Sequence, residues 1–182
     1  AEDDYHPTTG FLGTSYLLPV LSGTGAHDVA ARMATQETYP SWGYMVSKGA
    51  TTVWELWNSD TAGPGMNSRN HFALGSVGRW FYECLAGIRP DPDAPGFKHF
   101  FVAPEPGGDI TWAGAKHTSP YGDIESRWAI TGDVFELTVT VPPNTTAIVR
   151  VPGDNPRGAT AGTDGVFEVP AGRWTFTSEW RR

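Results

Sequence analysis

Hydrophobic residues recur with a helical period in the first half of this chain. Between residues 70 and 88 they are spaced by three and four, as on one face of a helix that begins at Ser68 or Asn70 and ends at Gly87: Ala73, Val77, Trp80, Phe81, Cys84, Leu85 and Ile88. Residues 9–21 are apolar almost all round, which predicts a buried helix kinked near Pro19. Residues 27–36 predict a shorter amphipathic helix.

Short β-rich segments separated by turn residues take over after residue 96. One of them alternates apolar side chains with Glu136, Thr138 and Thr140, the pattern of a half-buried antiparallel strand: Phe135, Leu137, Val139 and Val141. The following P-P-N-T-T predicts a hairpin turn. Seven or eight such strands in about 85 residues predict an antiparallel β-sandwich.

The two patterns meet at R-P-D-P-D-A-P-G, residues 89–96, which cannot continue a helix. We therefore predict a helical domain at 1–90, a linker at 91–95 and a β-sandwich at 96–182. The helices are few and strongly apolar for a domain of their own. We expect them to be the C-terminal part of a larger helical domain.

Composition excludes several function classes. The 182 residues carry a net charge of −7, and no basic stripe supports a nucleic-acid partner. No apolar run is long enough to predict a membrane span, and residues 1–5 lack the features of a signal peptide. The compartment, cytoplasmic or secreted, stays unknown. Cys84 is the only cysteine and lies on an apolar helix face, which favours a buried small hydrophobe over a catalytic thiol.

The 5 histidines show no zinc-ligand spacing, which argues against a metal site, and no glycine-rich loop has a phosphate-binding spacing. The 8 tryptophans are the main compositional signal. A well-filled core explains them, and so does carbohydrate binding, in which flat indoles stack on the C–H face of a sugar.

Glu55 is the first candidate for chemistry, within T-T-V-W-E-L-W-N-S-D at residues 51–60. The flanking tryptophans restrict water around its carboxylate, a setting that suits a general acid or base. A structural role remains open, in which Glu55 accepts an indole N–H or caps a helix. Asp60 and Glu83 are weaker candidates, since the first lies in a turn-rich loop and the second on a helix.

His71 follows in G-M-N-S-R-N-H, where Asn67, Ser68 and Asn70 add neutral hydrogen-bonding groups. Such groups suit sugar hydroxyls, and they also suit the N-terminal cap of a helix. The local sequence leaves both roles open.

Several motifs in this order resemble the C-terminal third of the bacterial α-L-rhamnosidases of glycoside hydrolase family 78. They are T-G-F-L-G-T-x-Y-L-L-P-V-L, Y-P-S-W-G-Y-M, K-G-A-T-T-V-W-E-L-W, G-M-N-S-R-N-H and W-F-Y-E-C-L-A-G-I. P-D-P-D-A-P-G-F-K-H-F and V-P-P-N-T-T-A-I-V-R-V-P resemble the C-terminal β-sandwich of that family.

The resemblance implies an (α/α)6 toroid followed by a sandwich, and inverting hydrolysis of terminal α-L-rhamnosyl bonds without a cofactor. It assigns the general base to Glu55 and rhamnose binding to His71. Trp42 and Trp57 are our candidates for aromatic walls of the sugar site, and Asn67 and Asn70 for further contacts.

The acid-rich motif of the family, D-x-x-R-x-E in outline, does not occur here, so the general acid is missing. We expect the chain alone to be inactive. Its expected partners are a glycoside that contains L-rhamnose and the remainder of the catalytic domain. As alternatives, residues 96–182 are a carbohydrate-binding module or only cover the toroid. Binding would then involve Trp112, Trp128, Trp174 or Trp180.

Overall fold

The computed structural model describes residues 4–65, 68–158 and 162–181, and they divide into two units. The first comprises residues 1–80 with 107–109, and the second comprises 81–106 with 110–182. The predicted linker at 91–95 lies within the second unit, and the predicted domain boundaries at residues 90 and 96 stay predictions.

Short helices make up most of the regular structure of the first unit. They are α1 (Phe11–Gly23), α2 (His27–Thr35), α3 (Trp42–Ser47), a 3-10 turn (Gly63–Gly65), α4 (Phe72–Gly75) and α5 (Val77–Trp80). None of the helices in the described residues is long and apolar enough to cross a membrane.

The helix α1 is packed on one side only. Leu18 is buried, whereas Leu12, Tyr16 and Val20 are 88%, 65% and 56% exposed. The prediction of a buried helix is therefore wrong within this unit, because α2, α4 and α5 cover a single face of α1. That face is anchored at its end by the Trp80 indole N–H, which donates to Ser22 Oγ at 2.8 Å.

The helical pattern predicted up to residue 88 is confirmed as far as Leu85. After α5 it continues as a π-helical turn, Phe81–Leu85, in which Cys84 is buried. Gly87 then ends the helix with φ of +80°, and a Cβ there would lie 2.2 Å from Pro104 N. A side chain at residue 87 is thus excluded twice, by the left-handed backbone and by the close approach. Ile88 starts a strand instead of extending the helical face.

The second unit contains one mixed β-sheet. Its strands are β1 (Ile88–Pro90), β2 (His99–Val102), β3 (Trp112–Ser119), β4 (Gly122–Thr131), β5 (Val134–Arg150), β6 (Asp154–Gly158) and β7 (Val166–Glu179). The strand order is β1-β2-β5-β4-β3, with β7 on β5 and β6 on β7. The predicted β-rich second part is confirmed, but purely antiparallel pairing is wrong, because β2 runs parallel to β5.

The strand β5 continues through the predicted hairpin turn. Both of its halves pair with β7, and the register shifts between Val141 and Thr146. Asn144 has φ of +61°, so P-P-N-T-T forms an irregularity within the strand and does not reverse it. The predicted alternation before it is confirmed, since these side chains are at most 2% exposed: Phe135, Leu137, Val139 and Val141.

Polar side chains of β4 fasten the π-helical turn to this sheet. The Trp128 indole N–H donates to Leu85 O at 2.8 Å, and the Ser126 hydroxyl donates to Ala86 O at 2.7 Å. All of these groups are buried, so the chain that leaves the turn satisfies its carbonyl oxygens inside the unit.

Candidate active site

The segment that carries Glu55 is held by a second segment that carries His71. The N–H of Glu55 donates to Ser68 O at 3.0 Å, and the N–H of His71 donates to Val53 O at 2.9 Å. The Thr52 hydroxyl also donates to Arg69 O. Residues 53–55 and 68–71 therefore run side by side, but neither segment is a regular strand. Glu55 is not in a helix either.

The tryptophan before Glu55 anchors this segment in the core of the first unit. Trp54 is buried against Met45 and Leu74, and Val53 and Trp57 pack on the same cluster. Glu55 itself is half-buried and faces a cavity of about 200 Å³. The other lining residues include Thr9, Phe11, Tyr39, Trp57 and Asn58.

One carboxylate oxygen of Glu55 is left without a partner. Its Oε2 is buried and has no hydrogen bond to any residue in the described ranges. Buried polar atoms are nearly always paired, so an unpaired carboxylate oxygen on a residue that lines a cavity indicates a place for a water or a ligand. A carboxylate with a free lone pair in such a position can accept a proton from a bound water.

His71 is a helix cap, and its ring is also held in a stack. Its Nδ1 accepts the N–H of Ala73 at 3.2 Å at the start of α4. Phe11 and Phe72 stack on the imidazole at centroid distances of 4.9 and 5.1 Å. Because Nδ1 is an acceptor, the neutral ring carries its proton on Nε2, which is then a donor for a ligand. Capping therefore leaves the ligand-binding role available.

The two predicted aromatic walls differ in their surroundings. Trp57 is half-buried and lines the cavity beside Glu55. Trp42 is 7% exposed and meets Trp57 edge-on, with ring centroids 5.0 Å apart and an interplanar angle of 83°. The Trp42 indole N–H donates to Leu74 O at 2.9 Å, so Trp42 supports Trp57 from beneath.

Among the candidates in the described residues, Glu55 and Trp57 line this cavity, whereas His71, Trp42, Asn70 and Asp60 do not. Asn67 falls outside the described residues, and Asn70 is exposed with its backbone N–H on Ser68 Oγ. Asp60 accepts the Tyr44 hydroxyl at 2.8 Å, and this hydrogen bond raises the pKa of Tyr44. No group of three or more metal-ligating side chains occurs within residues 4–65, 68–158 and 162–181.

Sequence reasoning missed Thr9, Phe11, Tyr39 and Asn58 as lining residues. Thr9 and Phe11 stand in the first quoted motif, within the apolar helix pattern of residues 9–21, and Tyr39 begins the second quoted motif. That pattern explained Phe11 as a core residue, although it is 42% exposed.

Two family models match the chain in succession. Residues 1–85 match the bacterial alpha-L-rhamnosidase 6 hairpin glycosidase domain, and residues 87–166 match the bacterial alpha-L-rhamnosidase C-terminal domain. An α-L-rhamnosidase of Streptomyces avermitilis is 47% identical over 96% of this chain and 18% of its own length. One from Formosa agariphila is 45% identical over 85% of this chain and 17% of its own length.

Solved structures give the same result. The crystal structure of the Streptomyces avermitilis α-L-rhamnosidase complexed with L-rhamnose matches with a TM-score of 0.86 and 45% identity, over 97% of this chain and 18% of that one. The α-L-rhamnosidase from Dictyoglumus thermophilum matches with a TM-score of 0.85 and 35% identity, over 98% and 22%. The chain thus spans about a fifth of the length of these relatives. It belongs to the bacterial α-L-rhamnosidase family and corresponds to the C-terminal part of these larger proteins.

Proposed function

We propose that this chain supplies the general base of an inverting α-L-rhamnosidase, with Glu55 in that role. The observation that carries the proposal is that Glu55 lines a cavity while its buried Oε2 has no hydrogen-bond partner in the described residues. The Streptomyces avermitilis relative complexed with L-rhamnose supports rhamnose as the sugar.

In this mechanism Glu55 removes a proton from a water, which attacks the anomeric carbon from the face opposite the leaving oxygen. Inverting hydrolases keep their two carboxyl groups about 6.5–9.5 Å apart so that this water fits between sugar and base. His71 donates from Nε2 to a rhamnose hydroxyl, and Trp57 closes one side of the site. Trp42 acts through Trp57, and Asn67 and Asn70 are the candidates for further hydrogen bonds to the sugar.

A second carboxylic acid protonates the leaving oxygen, and it belongs to the remainder of the catalytic domain. The apolar face of α1 supports this partner, because Leu12, Tyr16 and Val20 are exposed in the unit described above. We infer that the helices complete an (α/α)6 toroid there, and that the second unit is the accompanying β-sandwich. The substrate is a glycoside or polysaccharide with terminal α-L-rhamnosyl residues.

The test is hydrolysis of p-nitrophenyl α-L-rhamnoside by the enzyme in which this chain and the remainder of the catalytic domain are joined. Glu55→Gln should lower kcat about 10²–10⁴-fold, the contribution of a general base, and leave KM within a few-fold. NMR of the first product should show β-L-rhamnose, since inversion at an α-glycoside produces the β anomer.

Glu37→Gln is the matched control, because Glu37 is an exposed carboxylate of the same unit. It should retain the parental kcat, and both variants should keep the parental melting temperature. A folded Glu55→Gln enzyme with normal kcat would remove Glu55 from the base role. An α-anomeric first product would reject inversion.

A further inference from the structure

A second hollow lies on the outer face of the sheet in the second unit, away from the buried side of that sheet. On β4 the side chains of Ile124, Ser126 and Trp128 are buried, so Glu125 and Arg127 between them face outward. The outward residues enclose a hollow of about 270 Å³, large enough for a single sugar unit.

The register of the strands brings the lining side chains together. Gly114, Arg127 and Thr138 are direct neighbours across β3, β4 and β5. Two residues along, Glu125 neighbours Thr140, and Thr140 neighbours Arg173 of β7. Two guanidinium groups and two hydroxyls thus border the same hollow.

The two arginines are without partners in the part of the chain that the structure describes. Arg127 and Arg173 form neither an ion pair nor a side-chain hydrogen bond there. Lys116, by contrast, is bound to Asp123 with its Nζ at 2.6 Å from Oδ2. Glu125 accepts the Thr140 hydroxyl at 3.5 Å and adds one negative charge.

The floor of the hollow depends on the absence of a side chain at Gly114. A Cβ at this residue would lie 3.7 Å from both Cβ and Cγ of Arg127, an ordinary van der Waals distance. The backbone of Gly114 is not in the left-handed region, so a methyl group there costs no strain and fills only the hollow.

An exposed indole extends the same face along β3. Trp112 is 68% exposed and two residues before Gly114, so it faces the same side at a distance of roughly 7 Å along the strand. A large exposed indole offers a flat apolar surface, on which the C–H face of a pyranose ring packs. The other tryptophans proposed for binding are less available: Trp128 is 1% exposed, and the Trp174 indole N–H donates to Pro170 O.

We propose that this hollow binds the carboxylate of a hexuronate unit in an acidic carbohydrate chain. Arg127 and Arg173 supply the N–H donors, since a guanidinium matches the two oxygens of a carboxylate. Thr138, Thr140 and the Glu125 carboxylate bind sugar hydroxyls, and Trp112 stacks under the neighbouring ring. The site is built from residues of the second unit only and gives this unit a binding role of its own, independent of hydrolysis.

The experiment is an NMR titration of the 182-residue chain, following the backbone amides of β3 and β4 and the Nε–H groups of Arg127 and Arg173. The probes are D-glucuronate, D-galacturonate and tetragalacturonate, with cellotetraose as the neutral chain of equal length. Hexuronates should shift the two arginine signals in a saturable way, and the tetramer should also shift the Trp112 indole signal. Cellotetraose should bind at least tenfold more weakly than tetragalacturonate.

Arg127→Gln, Arg173→Gln and Gly114→Ala should each weaken binding at least fivefold. Arg150→Gln is the matched control, because it removes one exposed arginine from β5 outside the hollow and should leave the affinity unchanged. Glu55→Gln should also bind normally, which separates this proposal from the hydrolytic one. The proposal fails if no hexuronate shifts the arginine signals, if inorganic sulfate binds equally well, or if Arg150→Gln weakens binding as much as Arg127→Gln.

Discussion

The ring of Phe11 stacks on the ring of His71, with centroids 4.9 Å apart and planes inclined by 28°. Phe11 also lines the cavity that Glu55 faces. Phe11, the first residue of α1, therefore lines the cavity of the proposed base and also contacts the ring of the proposed sugar-binding histidine. Since the Ala73 N–H fixes Nδ1 of the same ring, the imidazole is oriented both by stacking and by a hydrogen bond.

Phe11→Ala should weaken rhamnoside binding by the joined enzyme without changing the chemical step. An aromatic pair contributes about 0.5–1.5 kcal/mol beyond buried area, so KM should rise about 2–10-fold while kcat stays within twofold. Steady-state kinetics with p-nitrophenyl α-L-rhamnoside measure both constants.

Phe11→Tyr is the control for this positioning role, because it keeps the ring that stacks on His71. Phe11→Tyr should retain the parental KM. In an enzyme that already carries His71→Ala, the further change Phe11→Ala should alter KM very little. Additive losses in the double variant would contradict the positioning role and leave Phe11 as an independent contact.

The strand pattern of the second unit was predictable where burial follows a period of two. Phe135 to Val141 have one face in the core, and the sequence contains that information locally. The continuity of β5 was not predictable, because Pro142, Pro143 and Asn144 are typical of a turn. Pairing with β7, which is distant in sequence, keeps both halves of β5 in line.

The candidate site was predictable in its chemistry but not in its full composition. A carboxylate between two indoles is a local feature, so Glu55 stood out from the sequence. The stacking of Phe11 on His71 joins residues 60 positions apart, and no local pattern indicates such a contact. Only the fold places Phe11 beside the segment pairing of residues 53–55 with 68–71.

Trp128→Phe should destabilise the chain because it removes the donor to Leu85 O and leaves a cavity in the sheet. Trp128 is 1% exposed, and a buried carbonyl without its donor costs about 1–3 kcal/mol. We expect a loss of about 2–4 kcal/mol in the free energy of unfolding, measured by urea denaturation. Trp112→Phe is the control, because Trp112 is a 68% exposed tryptophan of the same sheet. It should change the free energy of unfolding by less than about 0.5 kcal/mol.

The chain alone should not hydrolyse p-nitrophenyl α-L-rhamnoside. Glu55 can activate water, but the remainder of the catalytic domain is also needed to orient the rhamnose over this base. p-Nitrophenolate leaves without a proton, so we expect this missing orientation to decide the result here, whereas natural glycosides also need the general acid, whose acid-rich motif does not occur in these 182 residues. Adding the remainder of the catalytic domain as a separate polypeptide should restore turnover. Hydrolysis by the chain alone that Glu55→Gln abolishes would contradict this prediction.

Asp91 should make the stability of the second unit depend on pH. The Asp93 N–H and the His99 ring bind its two oxygens at 2.9 and 2.7 Å, and they hold the pKa of Asp91 below its ordinary value of 3.8, the backbone bond contributing most. A depressed folded-state pKa stabilises the fold above the ordinary value, and this stability is lost as pH falls through the lowered pKa. Asp91→Asn should therefore lower the melting temperature at pH 6, and the difference from the parental chain should shrink steadily below pH 3.8. Thermal unfolding followed by circular dichroism measures the melting temperatures of both proteins across the pH range.

Asp93→Asn is the control, because it keeps the backbone donor to Asp91. Its melting temperature should match that of the parental chain at both ends of the pH range. If the difference in melting temperature between Asp91→Asn and the parental chain did not change with pH, the charge of the Asp91 carboxylate would contribute nothing to the stability of the fold.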